Sequence, residues 1–109
     1  MTLEQLRDLI TELGYENVRI FDDSLGFDYA DAFIGMSDSG RAVYSYDKMV
    51  EHIMVKEGWS YEEAVEWIDY NTIRALPYYP DGPIVLYDVP EYMKEDYEER
   101  EENKKDETD

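Results

Sequence analysis

Residues 29–40 read YADAFIGMSDSG and residues 41–58 read RAVYSYDKMVEHIMVKEG, and this stretch decides the fold class. Tyr29–Met36 and Arg41–Tyr46 alternate loosely in polarity, as strands with one buried face do. They flank Ser37–Gly40, and a tight loop that ends in glycine between two such runs predicts a β-hairpin. A helix follows and ends at Gly58, because apolar residues recur after the hairpin at helical spacing. These residues are Met49, Val50, Ile53 and Met54.

Toward the N-terminus, the sequence predicts a capped helix and a short strand. Thr2, followed three residues later by Gln5, is a capping-box pattern. Leucine and isoleucine then recur at helical spacing up to Gly14, which is typical of a helix end. Asn17–Phe21 contains two β-branched residues and predicts a strand.

Toward the C-terminus, Ser60 and Glu63 form a second capping-box pattern and predict a third helix. A turn cluster of prolines, tyrosines and a glycine at residues 78–83 then precedes a last strand, Ile84–Tyr87. The residues predicted to face the core from the third helix are Tyr61, Ala64, Val65 and Ile68.

The charge pattern changes from Asp88 onward. Residues 90–109 predict an acidic helix that frays into a disordered tail, because no apolar residue follows Tyr97. The first two turns of this helix carry a short apolar stripe, which we expect to dock on the domain. The stripe consists of Val89, Tyr92, Met93 and Tyr97.

Together these elements predict one α+β domain at residues 1–89, followed by the acidic segment 90–109. The expected sheet is small and antiparallel, built from the hairpin and edge strands. Three helices are expected to pack on this sheet.

The net charge of the 109-residue chain is −18. Residues 1–87 hold 17 acidic and 6 basic side chains, a net charge of −11, so the predicted domain is itself acidic. A field of this sign repels phosphate backbones and anionic lipid headgroups, which argues against direct binding to nucleic acid or to a membrane. It favours a basic protein surface as the partner. The alternative is that the charge serves solubility alone.

The sequence also predicts a cytoplasmic location. There is no cysteine, so no disulfide can form, which fits a reducing compartment. The chain begins with a helix-like pattern and not with a basic region followed by an apolar run, so no signal peptide is indicated. No stretch approaches the roughly 20 apolar residues that a membrane span needs.

Patterns that indicate catalysis or metal binding are sparse. The single histidine, His52, lies on the predicted second helix, where a solvent-facing position is the ordinary interpretation. Asp22, Asp23, Asp28 and Asp31 lie close in sequence, but their spacing does not match a calcium-binding EF-hand loop. We therefore expect a protein that is not an enzyme and has no cofactor or metal. A small carboxylate-dependent enzyme is kept as an alternative.

The third helix carries the most distinctive surface pattern. Acidic side chains recur at helical spacing away from the predicted core positions, beside a tryptophan, a tyrosine and an arginine. These three residue types are enriched at interface hot spots. The alternative for Trp67 is that it covers the start of the C-terminal segment. The predicted partner-binding surface consists of Glu62, Glu63, Glu66, Trp67, Asp69, Tyr70, Arg74, Tyr78 and Tyr79.

Two segments carry a resemblance to a known family. One is Gly40–Glu51, in which the glycine precedes RAVYSYDKMVE, and the other is Glu62–Tyr78, which reads EEAVEWIDYNTIRALPY. They resemble short, acidic, functionally unassigned proteins carried by phages and mobile elements of Gram-positive bacteria, over about residues 29–87. The resemblance implies no catalytic residue.

By size and charge, the chain is also similar to the small acidic inhibitors that phages direct against host defences, including anti-CRISPR and anti-restriction proteins. This likeness implies an inhibitor that imitates nucleic acid and blocks a basic surface of a defence nuclease, such as a CRISPR effector. Tyr78–Pro80 beside acidic residues resembles the toxin-contacting segment of bacteriocin immunity proteins, which are all-helical. The hairpin predicted at residues 29–46 departs from them. An antitoxin or immunity protein that neutralises a toxin is the alternative.

Overall fold

A computed structural model describes the backbone of residues 1–107 and the side chains of residues 1–102. The chain folds as an α+β domain, which confirms the predicted class. The α-helices are α1 (Leu3–Glu12), α2 (Tyr46–Glu57), α3 (Tyr61–Trp67) and α4 (Glu91–Glu107). The strands are β1 (Phe33–Met36), β2 (Ala42–Ser45) and β3 (Ile84–Leu86). A π-helical turn, Ile68–Ile73, continues α3, and single 3-10 turns cover Asp23–Leu25, Ala30–Ala32 and Leu76–Tyr78.

The hairpin is confirmed, but its first strand begins at Phe33 and not at Tyr29, because Tyr29 has φ +49° and Ala30–Ala32 forms a 3-10 turn. Its second strand ends at Ser45, since Tyr46 begins α2. The sheet is mixed and not wholly antiparallel. Strands β1 and β2 pair antiparallel around a loop in which Gly40 has φ +80°. The Ser37 N–H donates to the Arg41 carbonyl at 2.8 Å and closes this loop. Strand β3 pairs with β2 in parallel, giving the order β1-β2-β3. The long connection through α2 and α3 allows this direction, because a parallel pair needs a crossover of a dozen or more residues.

The strand predicted at Asn17–Phe21 is wrong, and this segment is irregular. Asn17 has φ +57°, a left-handed conformation that interrupts extended chain. The Phe21 N–H donates to the hydroxyl of Tyr44 at 3.3 Å and not to a neighbouring strand. Val18 and Ile20 nevertheless pack against the core. The β-branched pattern therefore reflects burial of these two side chains and not pairing with a neighbouring strand.

The core lies between the hairpin, α1, α2 and the inner side of α3. Its centre is aromatic: the Phe21 ring lies 4.7 Å from Tyr44 and 5.3 Å from Tyr29, measured between centroids. The Tyr29 hydroxyl lies 2.8 Å from the buried Thr72 hydroxyl, so its polar end is satisfied. Burial raises the pKa of Tyr29 to about 12. The aliphatic and sulfur side chains that surround this centre include Leu6, Ile10, Met49, Val50, Ile53 and Ile68.

One predicted core residue of α3 is exposed. Ala64 and Ile68 are fully buried and Val65 is half-buried, as expected, but 59 % of Tyr61 is exposed. Tyr61 lies in the first turn of α3, where its neighbours Glu62 and Glu63 are also exposed. The packed side of α3 therefore begins one turn later than the apolar pattern predicted.

Helix α4 projects from the domain. The first two turns of α4 are helical but do not dock on the domain as predicted. Tyr92, Met93 and Tyr97 are 51–70 % exposed, and Val89 is 59 % exposed. The molecule measures 58 × 35 × 26 Å and its radius of gyration is 17.6 Å. A compact chain of similar length has a radius of gyration of about 13 Å. The backbone stays helical to Glu107, and the end of the predicted frayed tail lies outside the described residues.

The base of α4 is fixed although the helix itself is not packed. The Ser45 hydroxyl donates to the Asp88 carboxylate at 2.7 Å, just before α4 begins. Beside this contact, the rings of Tyr46 and Tyr87 lie 4.7 Å apart at an interplanar angle of 31°. Both contacts join the start of α2 to the end of β3.

Candidate protein-binding surface

Helix α3 presents its carboxylates because its opposite side is fixed in the core. The Ser60 hydroxyl oxygen accepts the Glu63 N–H at 3.2 Å and caps the helix start. The same hydroxyl lies 3.1 Å from the Glu63 carboxylate, to which it donates. With Ala64 and Ile68 fully buried, the outer side shows the acidic stripe, which we define as Glu62, Glu66 and Asp69.

The π-helical turn extends this surface beyond α3. The Arg74 N–H donates to the Asp69 carbonyl at 3.3 Å, five residues back, which is the hydrogen bond of a π-turn. Tyr70 is 67 % exposed, and the guanidinium carbon of Arg74 lies 5.1 Å from its ring centroid. This distance is within the range of a cation–π contact, so Tyr70 and Arg74 form one exposed unit. Single π-turns inside helices occur frequently at functional sites.

Asp69 is held in one orientation by a residue that sequence reasoning did not assign to the site. The Tyr46 hydroxyl donates to the Asp69 carboxylate at 2.8 Å, and only 8 % of Tyr46 is exposed. Burial raises the pKa of Tyr46, and the carboxylate of Asp69 raises it further. Burial is also the main cause that raises the pKa of Tyr87, with a smaller effect of Asp69. Tyr46 therefore links the acidic stripe to exposed Tyr87, whose ring lies 4.7 Å from the Tyr46 ring.

The signal that could have indicated this extension was the number of tyrosines, 11 in the chain. A domain of this size cannot bury them all, so some were expected on the surface. Which tyrosine meets which carboxylate depends on contacts between residues far apart in sequence, here Tyr46 and Asp69. Spacing along one helix carries no information about such a pair.

Trp67 is half-buried and belongs to both the core and the surface. Its ring lies 4.8 Å from Phe27 between centroids, in an edge-to-face arrangement. It also covers Gly26 so closely that a Cβ there would clash with the Trp67 ring. The alternative that Trp67 covers the C-terminal segment is therefore wrong, because it covers the Gly26–Phe27 loop. A shallow groove of about 310 Å³ beside it is lined by Trp59, Glu63, Glu66, Trp67, Tyr70 and Asn71.

The two remaining predicted residues lie after the π-turn. Tyr78 is 82 % exposed and Tyr79 is 41 % exposed. Tyr79 lines a different groove, beside α1, which shares no lining residue with the groove at Trp67. Eight of the nine predicted residues are exposed, Trp67 being half-buried.

The aspartates considered for metal binding lie in loops and 3-10 turns, and the buried Nε2 of His52 has no hydrogen-bond partner among the described residues. His52 is mostly buried and does not face solvent as predicted: 12 % of its side chain is exposed, with its ring nitrogens 4.0 Å from Asp28 and 3.9 Å from Asp31. Asp28 accepts the Ala30 N–H at 3.0 Å in a turn. Asp22 accepts the N–H and hydroxyl of Ser24, and these hydrogen bonds lower its pKa. Among the residues described, no three histidine or acidic side chains stand close enough to hold a metal ion.

Comparison with known proteins adds no family: no protein-family profile, curated protein or solved structure matches the chain. The resemblance to acidic phage proteins therefore stays a prediction. Within the described residues, no helix is long and apolar enough to cross a membrane.

Proposed function

We propose that this protein binds a basic surface of another protein and thereby prevents nucleic acid from binding to that surface. One observation carries the proposal: the acidic stripe is exposed along α3 and its π-turn, beside the exposed Tyr70–Arg74 pair. Carboxylates on such a surface can replace phosphates, while the aromatic rings supply apolar contact area.

The spacing of the acidic stripe supports imitation of nucleic acid. Residues four positions apart on a helix stand about 5–6 Å apart at Cβ, which is of the same order as the separation of successive phosphates. Tyr46 holds Asp69 in place through its hydroxyl, so this carboxylate is oriented before the partner arrives. Binding then costs less ordering than it would with a free side chain.

The proposed partner is a nucleic-acid-binding enzyme of a bacterial defence system, such as a CRISPR effector nuclease. The net charge of −11 within residues 1–87 supports a basic partner. The choice of a defence nuclease, and of a phage or mobile element as the source, rests on the resemblance of Gly40–Glu51 and Glu62–Tyr78 to phage-borne proteins. The site of action is accordingly the host cytoplasm.

Displacement of host proteins from DNA tests this proposal. Lysate of a Gram-positive host is bound to DNA-cellulose, the protein is added, and eluted proteins are identified by mass spectrometry. A triple variant, Glu62→Gln, Glu66→Gln and Asp69→Asn, should lose the specific elution of a nuclease. The matched control neutralises three exposed acids of α1 (Glu4→Gln, Asp8→Asn, Glu12→Gln) and should keep it.

Equal elution by the two triple variants would contradict the proposal, because bulk charge alone would then explain binding. Elution of no nucleic-acid-binding protein by the unchanged protein would contradict it as well. The complex should also weaken steeply as salt is raised, since exposed charges are screened within about 8–10 Å at physiological ionic strength. An affinity that is unchanged by salt would favour an apolar interface.

Alanine substitutions divide the surface into binding and folding contributions. Tyr70→Ala and Arg74→Ala should each cost about 1–3 kcal/mol of binding free energy. Both should leave thermal stability near its original value, because both residues are exposed. Trp67→Ala should lower thermal stability as well, because its ring packs on Phe27. Unchanged binding in both Tyr70→Ala and Arg74→Ala would remove this pair from the contact surface.

An antitoxin or immunity protein is the second candidate, and the exposure of Tyr78 favours it. This ring is 82 % exposed at the turn that resembles the toxin-contacting segment of immunity proteins. We would test whether the protein co-purifies with a toxin. Loss of the toxin in Tyr78→Ala, with the toxin retained in the triple variant of the acidic stripe, would favour this candidate over nuclease inhibition.

A further inference from the structure

A second groove lies away from the acidic stripe, between α1, the irregular segment 15–22 and the turn segment 76–83. Its volume of about 670 Å³ lies within the range of small-molecule sites, roughly 300–1,000 Å³. Ile10 and Leu76 are among the apolar residues that line it, and the rings of Tyr15 and Tyr79 add aromatic surface. Thr11, Asn17 and Ser24 add polar groups, so a groove of this size and mixed lining can accept a compact molecule with both apolar and polar parts.

Two unpaired arginines line the same groove. Arg7 and Arg19 are exposed, and neither guanidinium forms a hydrogen bond or an ion pair within 4.0 Å among the side chains that the structure describes. This is unexpected in a chain with 28 acidic and 10 basic residues, where carboxylates are abundant. Arginine presents a planar set of donors that matches carboxylate, sulfonate and phosphate groups.

The other charges of the groove form no direct ion pair with these arginines, although Arg7 is close enough to Asp22 to lower the pKa of its carboxyl group. Its acidic lining residues are Glu16 and Asp22, so its formal charge is zero although residues 1–87 carry −11. The Asp22 carboxylate already accepts two hydrogen bonds from Ser24. An anion would therefore meet less repulsion in this groove than along the acidic stripe.

Main-chain donors add to the site. Residues 16–20 form no main-chain hydrogen bond with any described residue. Every residue from 15 to 22 lines the groove. The main-chain groups of residues 16–20 have no partner within the described protein, so they remain available to a bound molecule.

The geometry points to a binding site for a small organic anion, an apolar body that bears one carboxylate, sulfonate or phosphate group. The apolar walls hold the body, and Arg7 and Arg19 hold the anionic group. The site does not depend on the proposed function, because the acidic stripe contributes no residue to it.

Two matched fluorescent probes test this site. The anionic probe is 1-anilinonaphthalene-8-sulfonate, and the neutral probe, N-phenyl-1-naphthylamine, has the same rings without the sulfonate. The anionic probe should bind at one site and at least about tenfold more tightly, as expected of charge-assisted hydrogen bonds. Its amide chemical-shift changes should concentrate in residues 15–22 and 76–83.

Variants of the groove show which residues contribute to the affinity for each probe. Arg7→Ala with Arg19→Ala should weaken the anionic probe at least about tenfold and leave the neutral probe unchanged. The control double variant, Lys48→Ala with Lys56→Ala, removes the same charge from exposed positions of α2 outside the groove and should leave both affinities unchanged. Thr11 lies on the exposed side of α1 and lines the groove. Thr11→Trp should fill the groove and weaken the binding of both probes.

Equal affinity for the two probes, or an equal loss in the two double variants, would overturn the proposal. Absence of binding at millimolar probe would overturn it too. Because the anionic probe also binds partly unfolded proteins, each variant must retain near-UV circular dichroism and cooperative unfolding. Binding that appears only when these are lost counts as a result against the site.

Discussion

Helices α1 and α4 are both rich in acidic side chains, yet one is packed and the other is free. In α1, Leu6 is fully buried and only 5 % of Ile10 is exposed. In α4, Tyr92, Met93 and Tyr97 are 51–70 % exposed. A high content of acidic residues therefore does not by itself decide whether a helix packs on this domain.

The difference lies in how the apolar residues are distributed. Helix α1 carries them along its whole length, so one continuous side faces the core while the acids face solvent. Helix α4 has them only in its first two turns, and its net charge of −5 faces a domain of like charge. Two ion pairs among its described side chains, Lys94–Glu91 at 3.6 Å and Arg100–Asp96 at 3.1 Å, join residues of α4 to each other and not to the domain.

The largest expected effect contrasts one leucine of α1 with one methionine of α4. Leu6→Ala should lower the free energy of unfolding by about 2–5 kcal/mol, because it removes a fully buried side chain. Met93→Ala, at an exposed position, should change it by less than about 0.5 kcal/mol. Urea denaturation measures both. A large effect of Met93→Ala would show that α4 is packed in solution, and the comparison would fail.

The next effect concerns the helix starts. Thr2 and Gln5 make both hydrogen bonds of a capping box, at 3.1 and 2.9 Å. Thr2→Ala should cost about 1 kcal/mol of unfolding free energy, since the helix that it caps is part of the core. Glu91→Ala at the start of α4 should leave the global transition in place, because α4 can unwind without exposing core. Equal losses in the two variants would contradict this.

How far the sequence could predict the fold follows from the range of the interactions. The caps Thr2 and Ser60, the hairpin loop and the helix-ending glycines act within a few positions, and they were predicted correctly. The second capping box is only half formed, because Glu63 accepts from the Ser60 hydroxyl and not from the Ser60 N–H. Ser45, which caps α2, was predicted as a strand residue. Gly58, with φ +70°, ends α2 where the pattern placed its end. The parallel direction of β3 was not predictable in this way, since it depends on how α2 and α3 return the chain to the sheet.

The candidate surface could be predicted only along one helix. Spacing on α3 identified the acidic stripe, and all three of its residues are exposed. The link from Tyr46 to Asp69 spans 23 residues and was missed. The exposure of Tyr61 was missed because an apolar ring in a first turn satisfies the same spacing whether it is covered or not. Packing partners, which spacing does not identify, decide such cases.

A smaller effect is expected from pH. Ser24 lowers the pKa of Asp22 through two hydrogen bonds, and Arg7 of α1 lowers it further. Since the folded-state pKa lies below the ordinary value of 3.8, this contribution is present above pH 3.8 and is lost as pH falls through the folded-state pKa. Asp22→Asn should therefore lower the Tm slightly at pH 7 and by less at pH 2. Arg100→Ala, whose ion pair is internal to α4, should leave the Tm unchanged at both.

The smallest effect on stability should come from truncation after Tyr97. The removed residues contain no apolar side chain, so the Tm should stay near its original value. Association with a basic partner at low salt should slow, because the removed residues carry a net charge of −4 and long-range attraction acts mainly on the on-rate. Stopped-flow mixing measures this rate. A truncated protein that unfolds readily would place these residues in the core.

Because the base of α4 is fixed, this helix affects how the molecule orients in an electric field. The Ser45–Asp88 hydrogen bond and the Tyr46–Tyr87 contact anchor a helix of 17 residues. A helix of this length spans about 25 Å, at about 1.5 Å per residue. Residues 88–102, whose side chains the structure describes, are about one seventh of the chain and carry −6 of its −18 charges, so the centre of negative charge is displaced toward α4. Near a positively charged partner the protein therefore experiences a torque. This torque turns α4 toward the partner before any side chain makes contact.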